Sequence, residues 1–397
     1  MVSLFTPDLL TPQLEKSALQ VPLVVLCRST EWSSAEQQTL ALAVALQQAG
    51  RRVLLAAAAG SFLLQQARTE HLICVALPTG LRGAQELARL IRRQLVGVLL
   101  TTRPADIGLA RLLKLWRGRG LQLVHRQLDH DEVAPANPWR RWWQAHSFRA
   151  VDAWVASFPR QARQARQDAG LNPRRLWVVP PLFEPSGARD RPGRQSQARH
   201  LLRLPAPAPL IGVVAHDTQG PMFALETLYR LREELNLAAE LVVIGSPATP
   251  AGPAYWAELH ELARQLRLHH CVHLRPLHNS AQRTLFYQAL DVLLLPSLAS
   301  VMGGALLEAM ASGCPLVSLA EADAPDLLEQ DVTGRLFTLH NVAAATTALA
   351  TALGQPAAGQ RMARRAAALV AQRCGAQQQS LQLESVFQYI GRYQALV

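Results

Sequence analysis

The sequence predicts an α/β chain built as two doubly wound parallel sheets in tandem, with a cleft between them. Three observations carry this expectation. The chain has 397 residues, more than one ordinary core holds. Short apolar runs alternate with helical stretches, which is the rhythm of strand–helix–strand units. That rhythm breaks at a Pro-, Gly- and Arg-rich stretch near the middle and then begins again.

The elements follow in order. Leu23–Cys27 reads as a buried strand entered through Pro22. Residues 34–49 place Leu40, Ala43 and Leu46 at helical spacing and end at Gly50. Residues 53–58, 71–76, 96–101 and 121–125 read as further strands, with helical stretches such as 83–94 between them. Pro180-Pro181 and then residues 185–197 read as a linker. The second series has strands at 210–215, 239–245, 271–274, 292–295 and 315–319. Helices are expected there at 221–235, 255–266, 281–289 and 305–311. The division is then a Rossmann-like domain over 1–184, a linker over 185–200 and a second Rossmann-like domain over 201–375. Residues 376–397 form a last helix expected to pack back on the first domain. Ligands of such sheets bind at the carboxyl ends of the strands.

Composition excludes several classes. Hydrophobic residues are 49% and charged ones 17%, so the chain is globular and not disordered. The longest apolar run, residues 53–64, is interrupted by Gly60 and Ser61 and falls short of a membrane span. The first residues lack the basic start and apolar segment of a signal peptide, and the five cysteines have no paired spacing. Both point to the cytoplasm, or to a peripheral position on the inner face of the membrane. Charge is uneven. Residues 1–200 hold 27 Lys and Arg against 14 Asp and Glu, whereas residues 201–397 hold 13 against 15. One domain faces something anionic and the other does not, and a uniform nucleic-acid coat is not indicated.

The stretch richest in chemistry is PSLASVMGGALLEAMASGCPL, residues 296–316. A strand runs into a Pro-Ser turn, then a loop with Gly303 and Gly304, then a helix carrying Glu308. A carboxylate at a helix start, after glycines that expose backbone N–H groups, suits hydroxyls and anionic oxygens.

Four segments in the same order resemble a GT-B glycosyltransferase of the retaining group 1, or family 4. They are SSAEQQTLALAVALQQAGRRVLL, LWVVPPLFEP, YQALDVLLLPSLASVMGGALLEAMASGCPLVS and APDLLEQDVTGRLF, and the resemblance spans nearly the whole chain. It implies two Rossmann-like domains and a nucleotide-sugar donor as substrate, with no metal or further cofactor. Glu308 matches the family glutamate that holds the nucleotide's ribose, and a carboxylate suits two vicinal hydroxyl donors. The family's earlier glutamate is replaced by Ser300, leaving Gly303, Gly304 and Ala305 to offer backbone groups to the donor sugar or simply to permit a tight turn. The family's phosphate-clamping Arg and Lys are replaced by His216 and Gln219. Removing one such stabilising donor costs about 2.7–4 kcal/mol. Ala322 and Asp323 stand where the family has paired glycines, and Asp323 would repel a diphosphate. Arg275 corresponds to the base-facing turn.

Other candidates remain open on sequence. His125, Asp129 and His130 lie at a strand end where cleft residues belong, as catalytic groups or as a solvated loop. Ser33 and Ser34 match a loop approaching the phosphates or acceptor, or form a helix N-cap. Trp139 to Trp143 with Arg149, Arg160, Arg163 and Arg166 suit an anionic membrane or lipid-linked acceptor, or else are core and solvated face. His269 to His273 complete no tetrahedral metal site. The resemblance thus implies a transferase acting on a glycan or lipid-linked acceptor in bacterial surface polysaccharide synthesis. The departures leave a binding or regulatory GT-B protein as the alternative; a nucleotide-sugar epimerase fits the fold but not the basic first domain.

Overall fold

The computed structural model describes residues 21–117, 120–128, 146–183, 191–205, 208–215, 217–245, 252–276, 280–298, 304–321 and 324–395. These form two units. One holds the described residues up to Leu182 and those from Cys374 onward; the other is Phe183–Arg373.

The first unit has a seven-stranded parallel sheet. Its strands are β1 (Leu23–Cys27), β2 (Val53–Ala58), β3 (Ile73–Leu77), β4 (Val98–Thr101), β5 (Gln122–Arg126), β6 (Ala153–Ala156) and β7 (Leu176–Val178), in the order β3-β2-β1-β4-β5-β6-β7. Residues on one strand alternate between faces. Leu23, Val25 and Cys27 therefore join one core cluster, while Val24 and Leu26 join the other. A sheet covered on both faces needs both to be apolar, which is why β1 reads as an unbroken hydrophobic run.

Helices α1 (Ser34–Gln48) and α2 (Phe62–Thr69) cover one face; α3 (Gly80–Arg93), α4 (Pro104–Arg117) and α5 (Pro159–Ala169) cover the other. The first of these faces is completed by the last helix of the chain, Ala376–Ala395, through Leu383, Val386, Phe387 and Ile390. A buried Arg51–Glu384 ion pair at 2.6 Å ties that helix to the turn before β2.

The second unit opens with α6 (Arg191–Leu201), within the stretch expected as a linker. This is a correction. Pro192 lies in the first turn, where a missing N–H costs nothing. The helix then docks through Gln195, which donates to the Leu290 carbonyl and Asp291, and Arg199, which pairs with Asp291 at 2.6 Å. Six parallel strands follow. They are β8 (Leu210–Val214), β9 (Glu240–Gly245), β10 (Val272–Pro276), β11 (Val292–Leu295), β12 (Leu316–Leu319) and β13 (Arg335–Phe337), in the order β10-β9-β8-β11-β12-β13. The helices between them are α7 (Gln219–Glu233), α8 (Gly252–Gln265), α9 (Ser280–Ala289), α10 (Ala305–Ala311) and α11 (Ala324–Leu327); α12 (Val342–Gly354), α13 (Pro356–Cys374) and α14 (Ala376–Ala395) close the chain. Among the described residues no helix is long and apolar enough to cross a membrane.

Candidate functional site

In the second sheet the strand order reverses between β8 and β11, which pair directly through Ile211 and Val292. Chain connections leave this point in opposite directions, so the loops after these two strands part and leave a crevice. They are the two loops in which the sequence places its donor-binding residues. Gly220, at the start of α7, lets them approach. A Cβ there would lie 3.2 Å from Asp217 Oδ1 and 3.4 Å from Ser297 Oγ.

Gly304 caps α10 with φ +76°, a left-handed conformation that glycine adopts without steric cost. Ala305 behind it is buried, and Glu308 lies in the first turn. The Glu308 side chain is 27% exposed, and both of its oxygens are engaged from α9. The Tyr287 hydroxyl donates to Oε2 at 3.0 Å, and Arg283 pairs with Oε1 at 3.3 Å. Tyr287 is buried, and burial with the adjacent carboxylate pushes its pKa far up, so it remains a donor. Burial also raises the Glu308 pKa, with Arg283 and Tyr287 opposing that rise. The result is a carboxylate fixed in direction with lone pairs left to accept further hydrogen bonds. The buried Nε of Arg283 has no partner among the described residues.

The neighbouring helix start is less suited to phosphate. Gln219 is exposed at the first position of α7, and the Asp217 carboxylate already accepts the Gly220 N–H at 2.7 Å. Tyr255 of α8 anchors this loop by donating to the Thr218 carbonyl. Arg275 is the penultimate residue of β10, the edge strand, with β9 between it and β8. The structure therefore brings Glu308, Gly304, Ala305 and Gln219 to the switch point and leaves Arg275 at the sheet edge. His216, Ser300 and Gly303 lie outside the described residues, as do Ala322 and Asp323.

In the first unit His125, a catalytic candidate on sequence, sits in the core. It is wholly buried; Nδ1 lies 3.0 Å from Thr101 Oγ1, and its ring centroid is 4.3 Å from that of Trp154. Burial lowers its pKa to about 3, so it is neutral near pH 7. Its Nε2 has no partner among the described residues. Asp129, His130 and the Trp139 to Trp143 stretch lie outside the described residues. Ser33 is the N-cap of α1 in a reciprocal capping box with Glu36, and Ser34 opens the helix. Glu36 is buried, which raises its pKa, but the Ser33 hydroxyl and N–H together with Arg103 outweigh that and hold it low.

Sequence reasoning passed over several groups. Arg28 follows β1 and pairs with buried Asp106 at 2.6 Å; Arg103 follows β4 and pairs with Glu36 at 3.1 Å. β1 and β4 flank the strand-order reversal of the first sheet. Their strand-end positions were the available signal. Asp217, Arg283 and Tyr287 had none, since their partners are set by the fold. His273 pairs with Glu240 at 2.6 Å, and among the described residues no three His, Cys, Asp or Glu side chains are grouped to hold a metal ion.

Residues 209–355, most of the second unit, match the family described as Glycosyl transferases group 1. The matched stretch lies within the second unit. It holds the switch-point carboxylate just described. Among curated relatives, a D-inositol 3-phosphate glycosyltransferase of Nocardia farcinica is 29% identical over 223 residues, covering 55% of this chain and 48% of that one. The chain spans about half the length of the curated relatives it matches. Solved structures cover nearly all of it. A glycosyltransferase from Rickettsia africae superposes with TM-score 0.78 at 13% identity, covering 94% of this chain and 99% of that one. Anabaena HepE in complex with UDP gives 0.77 at 16%, covering 95% and 100%. At such identities the likeness establishes the GT-B fold.

Proposed function

We propose that this protein is a retaining glycosyltransferase that moves a sugar from a nucleotide-sugar donor to a glycan or lipid-linked acceptor in bacterial surface polysaccharide synthesis. The observation that carries the proposal is Glu308, a carboxylate oriented by Tyr287 and Arg283 at the switch point of a group 1 domain. Its free lone pairs take the two ribose hydroxyls, and the Gly304–Ala305 backbone faces the donor sugar. No metal or further cofactor enters this reading; the sugar nucleotide is itself the substrate. A uridine nucleotide is the first donor to test, because UDP is bound by the Anabaena neighbour. An anionic acceptor suits the basic first unit and the arginines at its switch point. The relative's name likewise carries a phosphorylated compound. The protein then works at the cytoplasmic face of the membrane.

One observation favours the second reading, a GT-B protein that binds nucleotide without turnover. Asp217 occupies the α7 start, and Gln219 brings no charge to the leaving diphosphate. Thermal-shift measurements with UDP, GDP, ADP and CMP, alone and as sugar conjugates, separate the outcomes. A nucleotide at 100 times its Kd stabilises the fold by about 2.7 kcal/mol. Glu308→Ala is expected to abolish the shift. Absence of a shift with every nucleotide contradicts both readings, and a shift without sugar transfer or donor hydrolysis selects the second.

A further inference from the structure

About half of the positive excess of the first half lies on one layer of the first unit. Helices α3, α4 and α5 together hold ten arginines and lysines against three acidic residues. The opposite layer, α1, α2 and α14, holds two against two. The same basic layer carries apolar side chains that no core uses. Leu112, Leu115 and Trp116 follow one another at helical spacing on α4 and are 60%, 69% and 54% exposed. Leu81 at the start of α3 and Leu95 just beyond its end are 82% and 70% exposed. The Arg92 guanidinium lies over the Trp116 ring at 4.5 Å, joining the two helices in one surface.

We infer that the α3–α4–α5 face is a docking surface for an anionic lipid bilayer, with Leu112, Leu115 and Trp116 entering the interface and the arginines meeting lipid headgroups. Each half of the observation narrows the occupant. Arginines alone would suit any polyanion, but a nucleic acid or a soluble glycan would leave the leucines in water. The apolar stripe alone would suit a second copy of the chain. An isologous pair, however, would bring two strongly basic faces together, and like charges repel. A bilayer containing anionic lipid accepts indole, leucine and guanidinium groups at once. The inference extends the proposed function by naming the surface that brings the enzyme to a membrane-borne acceptor, and it rests on that reading only for its purpose.

The test uses the full chain and sedimentation with vesicles of phosphatidylcholine, alone or with phosphatidylglycerol at roughly a third of the lipid. Two variants are compared, Leu112→Ser/Leu115→Ser/Trp116→Ser and Arg82→Ser/Arg89→Ser/Arg93→Ser. All six positions are exposed, so folding is retained and is checked by thermal unfolding. The wild type is expected to pellet with the anionic vesicles. Each removed arginine should weaken that partition by about fivefold, and the apolar variant should lose it. Failure of the wild type to pellet at low salt, or equal pelleting of all three proteins, overturns the inference. So does a wild-type dimer that the apolar variant dissociates. Nucleotide thermal shifts measured on the same proteins report the donor site separately.

Discussion

Tyr287 gives the Glu308 carboxylate its direction, and the consequence is measurable as a pH dependence. A protonated Glu308 cannot accept from both ribose hydroxyls, so nucleotide affinity should fall as pH drops through its raised pKa. Tyr287→Phe removes a donor that favours the charged form, and Arg283→Gln removes a cation that does the same. Either substitution should move the fall to higher pH, read as nucleotide Kd between about pH 5 and 8. An affinity that is flat with pH in all three proteins would contradict this role. His125 makes the opposite contribution. With its folded pKa near 3 against 6.5, the unfolded chain binds a proton that the folded chain refuses. The stability this provides above about pH 6.5 is lost as pH falls toward 3, and His125→Asn should flatten that loss in acid unfolding curves. Glu308 was legible in sequence because its loop and helix are contiguous. Tyr287 lies 21 residues earlier on a different helix, and only the packing of α9 beside α10 brings the two together. His125 was placed correctly at a strand end, but sequence did not fix where that ring would point.

At the scale of elements, the Arg51–Glu384 pair shows how a terminal helix is held. Both side chains are 2% exposed, and Arg51 also lies 5.3 Å over the Phe387 ring. Burial raises the Glu384 pKa and lowers that of Arg51, each opposed by the partner's charge. Removing one partner alone, as in Glu384→Gln, should cost about 3–5 kcal/mol in urea unfolding followed at the first unit's tryptophans. Arg51→Met combined with Glu384→Leu should recover most of that loss, because two apolar groups leave no buried charge unpaired. If the double variant is as unstable as the single, α14 is held by the geometry of the pair rather than by avoidance of a lone charge. The strands were readable because two covered faces demand continuous apolar residues. Helix α6 was not, because its Arg- and Gln-rich sequence lacks an apolar stripe. Its order comes from Asp291, more than 90 residues away, which only the folded sheet presents to Arg199.

For the whole molecule, the two units divide the chemistry. The second unit, which matches the group 1 model, holds the oriented carboxylate, and the first unit holds a basic, partly apolar face. The charge asymmetry between the chain's halves was visible in composition, yet its concentration on one layer was not. Helical spacing scatters those arginines along the sequence, and only the right-handed crossovers of the sheet gather α3, α4 and α5 on one side.

The central claim is that Glu308 holds a nucleotide's ribose. Calorimetric titration of the wild type and Glu308→Ala with the nucleotide that stabilises the fold, and with its 2′-deoxy counterpart, tests it most directly. A hydrogen bond to a charged group is worth about 1.5–3 kcal/mol, so the wild type should bind the deoxy form at least about tenfold more weakly. In Glu308→Ala that discrimination should vanish. Equal affinity of the wild type for both nucleotides, or discrimination that survives the substitution, would contradict the account.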